Sequence, residues 1–299
     1  MQNMVAGIQQ ANMRSLARFI SWIENDVPGY ESILAQLQFH ATPIIGITGP
    51  PGAGKSTLIN ALVGSLLKQN KRVAIVAVDP SSPFNQGSLM GDRLRMSEHY
   101  LHPNLYIRSM ASRGSLGGLA PKIFEVCDVL RAAHFDYIII ETVGVGQSEV
   151  EIAALADTTV LVLVPEAGDD IQTIKSGVME IADIFVLNKA DREGAAIFEK
   201  NLTSLAHQYA SKEWENPVIK TVASQDKGIE ELIDQIHLHQ QLSQKGDKKM
   251  LLLSQKAMML IKAMRTKDIS LPQLANELAL VANNSDFNLY RFIEKYKSN

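Results

Sequence analysis

Gly49-Pro50-Pro51-Gly52-Ala53-Gly54-Lys55-Ser56-Thr57 decides the reading of this chain. It fits the pattern G-x-x-x-x-G-K-[ST], and its context agrees with the motif. Pro43-Ile44-Ile45-Gly46-Ile47-Thr48 before it reads as a strand, and Leu58-Ile59-Asn60-Ala61-Leu62-Val63 after it as a helix. Glycines let backbone N–H groups crowd around a phosphate chain, and the helix N-terminus adds positive potential. All nine residues are candidates for that cradle. Lys55 is expected to reach the β- and γ-phosphates, and the Ser56 hydroxyl to bind Mg²⁺.

Outward from this loop, the pattern strand–loop–helix repeats. The candidate strands are Ile44–Thr48, Arg72–Val78, Leu105–Ser109, Tyr137–Glu141, Thr159–Val164, Ile184–Leu187 and Val218–Val222. Tyr137-Ile138-Ile139-Ile140 and Val160-Leu161-Val162-Leu163-Val164 are unbroken apolar runs, the signature of strands covered on both faces. The expected fold is α/β, a mostly parallel sheet around a phosphate-binding loop, with ligands at the carboxyl ends of the strands.

Three regions follow. Residues 1–42 read as a helical extension, because Leu16, Phe19, Ile20 and Ile23 recur at helical spacing and Ile33, Leu34 and Leu37 suggest a second helix after Pro28. Residues 43–244 form the nucleotide domain. Residues 245–299 form a helical arm, with helices expected over Met250–Met264, Leu271–Ala282 and Phe287–Tyr296. The apolar face Leu253, Ala257, Leu260 and Met264 points to a dimer interface.

Composition narrows the partners. The 299 residues are 46% hydrophobic and 20% charged, and 29 basic against 32 acidic side chains leave a net charge of −3. No basic field recruits nucleic acid or an anionic membrane. The single cysteine, Cys127, excludes an intramolecular disulfide and reads as a core thiol. No apolar run approaches the ~18 residues of a membrane span. Residues 1–13 lack the apolar core of a signal peptide, so the expectation is a cytoplasmic protein.

The polar residues at strand ends carry the chemistry. Asn188-Lys189-Ala190-Asp191 follows the strand Ile184–Leu187. An Asp there accepts from guanine N1–H and N2–H₂, donors that adenine lacks. Asn188 would orient the loop and the Lys189 stem would cover the base. Thr221-Val222-Ala223-Ser224 ends the next strand and offers a backbone N–H to guanine O6, through Ala223 and Ser224. Glu141 ends the strand Tyr137–Ile140, where a carboxylate could hold a metal-bound or attacking water. Asp79 and Asp92 are further oxygen donors for Mg²⁺. Gln147, two residues beyond Val145, is assigned no catalytic role. Val164 to Lys175 reads as an exposed loop entering a helix, capped by Asp169 or Asp170, in which Lys175 by itself is a solvated lysine.

Together these stretches resemble the MeaB/ArgK family, the methylmalonyl-CoA mutase-associated GTPases. The resemblance runs from about Arg14 through Gly228 and is densest in Gly46–Leu58, Asp79–Met96, Arg113–Ala120, Glu141–Glu149 and Gly168–Asp191. It implies a P-loop domain with N-terminal helices and a C-terminal dimerisation arm. It also implies slow GTP hydrolysis, and binding to an adenosylcobalamin-dependent methylmalonyl-CoA mutase whose cofactor loading is gated and which is protected from inactivation. By this resemblance Asp79, Asp92 and Glu141 match the Mg²⁺-site and switch acids. Lys175 matches a lysine of a partner-coupled third switch, which makes Lys55, Glu141 and Lys175 the catalytic candidates. The chain departs from the family pattern at Pro165-Glu166, where Pro-Gly is expected, and at Asn85-Gln86-Gly87, where Thr-Gly-Gly is expected. Three alternatives are weaker, one of them a pure binding module in which hydrolysis is vestigial. Nickel-inserting relatives carry His- or Cys-rich motifs, whereas the seven histidines here are scattered. The older label of a kinase for amino-acid transport proteins finds no acceptor-binding element.

Overall fold

In the computed structural model, the described residues are 2–79, 99–111, 120, 122–142, 152–167, 176–211, 213–243, 254, 257–258, 260–262, 264–266, 268–282 and 287–296. The strands are β1 (Ile44–Thr48), β2 (Val73–Asp79), β3 (Leu105–Ala111), β4 (Tyr137–Glu141), β5 (Thr158–Leu163), β6 (Ile184–Leu187) and β7 (Val218–Lys220). They form one parallel sheet in the order β3-β2-β4-β1-β5-β6-β7. All seven expected strands are present, three with the expected bounds and four with ends shifted by one or two residues. β7 stops at Lys220 because Val222 turns aside into an isolated antiparallel bridge with Lys227.

The apolar runs are buried on both faces, since successive side chains point oppositely. Ile138 and Ile140 join one layer with Ile44, Val76 and Phe19, whereas Ile139 joins the other with Ile45 and Leu62. The first layer is capped by α1 (Gln2–Gln9), α2 (Met13–Glu24), α3 (Tyr30–Leu34) and α5 (Ile123–Ala132). The opposite face carries α4 (Lys55–Lys68) and α8 (Ile229–Ser243). A third cluster packs α6 (Ser176–Ile181) and α7 (Ala195–Tyr209) on β5 and β6.

The N-terminal helices have local causes. Leu16, Phe19, Ile20 and Ile23 are all fully buried on one stripe of α2. The Asn12 side chain caps that helix, accepting from the amides of Arg14 (3.1 Å) and Ser15 (3.0 Å). Helix α1 was not foreseen, because Ile8 is its one buried residue. Cys127 is buried in α5, as expected of a core thiol.

The chain divides into two compact units, residues 1–246 and 247–299. The second contains α9 (Leu271–Val281) and α10 (Leu289–Glu294), together with helical residues between 254 and 265. Ser270 caps α9 and Asn288 caps α10. Within this unit the Glu277 carboxylate accepts from Lys295 and from the Tyr296 hydroxyl (2.8 Å). Leu271, Leu280 and Tyr290 are each about four-fifths exposed, at 81%, 81% and 78%. Among the described residues, no helix is long and apolar enough to cross a membrane.

Candidate functional site

The parallel register brings the loops together. β1 lies between β4 and β5, pairing Ile47 with Glu141 and Thr48 with Leu161. The loop leaving β1 therefore sits beside the last residue of β4. On the other side, the Asn188 amide donates to Leu163 O (2.8 Å) and the Thr221 amide to Leu187 O (2.9 Å), so the ends of β5, β6 and β7 are stepped in line.

The glycines of the first loop are there for space. A Cβ on Gly49, at φ +141°, would lie 2.2 Å from the Val162 carbonyl oxygen. Gly54 adopts a left-handed φ of +86° and starts α4, and a Cβ there would lie 2.5 Å from Asn188 Nδ2. The backbone of this loop thus packs directly against β5 and against the loop after β6. Gly52 is also left-handed, at φ +79°. Pro51 and Gly52 are exposed and Pro50 half-buried, while Ala53 is fully buried.

Lys55 and Ser56 open α4, and both are buried. Lys55 Nζ donates to the carbonyls of Gly49 (2.8 Å) and Pro50 (3.1 Å), which folds its ammonium over the loop. The Ser56 hydroxyl donates to Glu141 Oε1 at 2.7 Å. Glu141 is only 7% exposed, so a carboxylate and a hydroxyl meet in a nearly dry corner at the base of the loop. Behind them the Thr142 hydroxyl donates to Thr48 Oγ1 (3.0 Å), tying the ends of β4 and β1. Thr57 is exposed on the first turn of α4.

Asn188 is the hinge pin of the second half. Its Nδ2 donates to the Ala53 carbonyl (2.9 Å), while its Oδ1 accepts from the Thr221 hydroxyl (3.1 Å) and the Ala223 amide (3.2 Å). One 2%-exposed amide thus joins three loops. Lys189, at φ +55°, sends Nζ to the Gly52 carbonyl at 2.8 Å. Asp191 lies on the exposed turn beyond, and Ser224 is likewise exposed. The Ala223 amide is turned to Asn188, which the sequence reading did not foresee. The bracing role of Thr221 was also missed, since a threonine at a strand end carries no signal of its own.

An ion pair crosses this end of the sheet. Arg192, the residue after Asp191, meets Glu166, which lies in a short 3₁₀ turn, Pro165–Ala167, just past β5. Asp79 is the last residue of β2, on the same edge as Glu141, through the pairing of Ala77 with Glu141. Asp92, Gln147, Asp169, Asp170 and Lys175 lie outside the described residues.

A triphosphate-type loop, a buried Ser–Glu corner and an N-K-x-D turn are now in one place. The model of the family described as methylmalonyl Co-A mutase-associated GTPase MeaB matches residues 16–277.

The chain belongs to the MeaB family of GTPases.

A Pyrococcus abyssi relative named as a GTPase is 48% identical over 250 residues, covering 81% of this chain and 77% of its own. The Escherichia coli GTPase ArgK is 35% identical, covering 75% and 71%. The mouse methylmalonic aciduria type A homolog, mitochondrial, is 41% identical over 64% of this chain and 47% of its own. Among solved structures, the LAO/AO transport system kinase superposes with a TM-score of 0.68 at 24% identity, covering 99% of this chain and 95% of that one. HypB from Helicobacter pylori superposes with a TM-score of 0.52 at 16% identity, over 69% and 90%. These two likenesses establish the α/β P-loop architecture. Family membership makes this MeaB-family chain a GTP hydrolase with a bound guanine nucleotide.

Proposed function

We propose that this MeaB-family GTPase is a Mg²⁺-dependent switch serving an adenosylcobalamin-dependent methylmalonyl-CoA mutase, gating its cofactor loading and protecting it. The observation that carries the switch is Asn188, whose amide locks the base-reading turn to the phosphate loop. The mutase enters through the family, whose description names that association.

The residues take these roles. The loop of Gly49, Pro50, Pro51, Gly52, Ala53, Gly54, Lys55, Ser56 and Thr57 cradles the phosphates, with the Lys55 ammonium moving from the loop carbonyls to the β- and γ-phosphate oxygens. Ser56 and Glu141 are hard oxygen donors 2.7 Å apart, a donor set that suits Mg²⁺. They would hold it together with Asp79 and Asp92, the further acids the family resemblance implies, and the ion would neutralise charge developing on the phosphates. Glu141 also positions the attacking water. Asp191 reads guanine N1–H and N2–H₂ with Asn188 and Lys189 framing it. Because Asn188 occupies the Ala223 amide, the contact to guanine O6 falls to Ser224. Lys175 completes the transition-state charge when a mutase binds. Catalysis is then positioning and charge stabilisation.

The exposed apolar side chains of the 247–299 unit, Leu271, Leu280 and Tyr290 among them, support a homodimer through this arm. The location we infer is the cytoplasm, with no role for nucleic acid or membrane.

GTP turnover by the full chain, measured alone and with a methylmalonyl-CoA mutase, tests the reading. Slow intrinsic turnover should accelerate with the mutase, and equal rates would refute the coupling. For base reading, Asp191→Asn should lose GTP and gain XTP, because xanthine carries a carbonyl where guanine carries its amino group. Unchanged preference would refute the role of Asp191.

A further inference from the structure

Glu166 and Arg192 are not catalytic candidates, yet they connect the N-K-x-D turn to the turn that follows β5. Arg192 is the residue next to Asp191, and its side chain leaves the turn toward β5, where Glu166 receives it. The base-reading turn is already anchored on its other side. Asn188 holds it to Ala53, and the Ala190 amide donates to Thr221 O (3.1 Å). Asp191 thus lies between an anchor just past β7 and an ion pair just past β5. The Arg192 amide also donates to Lys189 O (3.0 Å), closing the turn, so a pull on Arg192 is a pull on Asp191.

We propose that the Glu166–Arg192 pair is a positioning clasp for Asp191, which sets how long guanine nucleotide stays bound and how sharply guanine is told from hypoxanthine. The inference rests on the base-reading role proposed for Asp191. Two further observations support it. The Glu166 carboxyl is held below the usual carboxylate range, first by its hydrogen bond from Arg192 and also by the nearby charge of Lys189. Lys189 in turn donates to Gly52 O, so Glu166 faces both cations of the turn and, through one of them, the phosphate loop. Glu166 stands where the family pattern expects glycine, which has no charge to offer.

Both side chains are about half exposed, 51% for Arg192 and 50% for Glu166, so the clasp is a modest device. Exposed pairs contribute up to about 1 kcal/mol, which corresponds to about two- to fivefold in a rate. Salt screens such a pair.

The test is fluorescent-GDP dissociation from the full chain at low salt, with the IDP analogue alongside. IDP lacks the N2 amino group that Asp191 contacts. Glu166→Gln and Arg192→Gln should each release GDP about two- to fivefold faster and narrow the GDP-to-IDP ratio. The double variant should be no faster than the faster single one. The reversed pair, Glu166→Arg with Arg192→Glu, should recover dwell time. The effects should fade at 1 M salt, with melting temperatures unchanged throughout. Multiplying effects in the double variant, or single variants that release GDP at the parent rate, would overturn the clasp. A parent chain that holds GDP and IDP equally would instead overturn the reading of Asp191 itself. A ratio that stays fixed while dissociation quickens would show ordinary loop stability and also overturn the proposal.

Discussion

At the amino end of the sheet, Asp136, Asp157 and Asp183 each stand one residue before a strand and close onto a neighbouring strand. Their carboxylates accept the backbone amides of Arg72 (2.7 Å), Ile44 (2.8 Å) and Thr159 (2.8 Å). Their own amides donate back to the carbonyls of those same three residues, at 2.8, 2.8 and 2.9 Å. Each aspartate therefore completes a two-point ring where the ladder would otherwise end. At the carboxyl end the acids stand differently. Glu141 is the last residue of its strand and bonds the Ser56 hydroxyl, on the first turn of α4, rather than a strand amide. Asp136, Asp157 and Asp183 close the backbone ahead of their strands, whereas Glu141 at the end of β4 is aimed at the start of α4. The difference separates structural acids from candidate functional ones better than burial does, since Asp183 and Glu141 are almost equally buried at 8% and 7%.

The closed end is reinforced further. His239 Nε2 lies 3.3 Å from Asp183 Oδ1, and His239 Nδ1 lies 2.9 Å from the Thr158 hydroxyl. Trp214 covers the imidazole and donates from Nε1 to Asp183 O at 2.6 Å. Every group in this network faces inward, which suits stability and leaves little for a ligand.

If the two ends differ in this way, substitutions should divide cleanly between them. The largest effect is expected at the carboxyl end, where Lys55→Ala should slow single-turnover GTP hydrolysis about a thousandfold, the scale of losing a transition-state donor. Its urea midpoint should scarcely move. Next, Asp183→Ala should cost about 3 kcal/mol in urea unfolding, because it strands buried polar partners. Hydrolysis per folded molecule should survive, and a matching fall in activity would blur the contrast. Asn188→Ala should weaken GDP binding by about 2 kcal/mol, the cost of leaving the Ala53 carbonyl and Ala223 amide unsatisfied. Calorimetry should find this loss in affinity, with a smaller one in folding. The smallest change is expected for Asp157→Asn. Its Oδ can still serve the Ile44 amide, and the lost charge breaks only a partly exposed pair with Arg131, worth about 1 kcal/mol. A larger cost would mean that charge, not just the acceptor, closes the amino end.

Much of this contrast could be read locally, but not all of it. The phosphate loop and the N-K-x-D turn are contiguous, so a run of a few residues specifies both. The strands announced themselves through apolar runs buried on both faces. Asp136, Asp157 and Asp183 were legible only as polar residues ahead of strands, and nothing in their neighbourhood names the amide they cap. Glu166 drew notice as a departure from the family pattern, while its partner Arg192 drew none. Asp92 and Lys175 lie outside the described residues, and the Asp79 side chain is likewise not described.

By itself, then, the sequence determined the parallel α/β class, the phosphate loop, the N-K-x-D turn and the family, because each is carried by short-range pattern and composition. Tertiary structure alone decided that Ser56 meets Glu141, that Asn188 reaches Ala53, and that Arg192 meets Glu166. Those contacts follow from the order β4-β1-β5-β6-β7. That order is chosen by how whole apolar faces pack together, and no local run of residues encodes it.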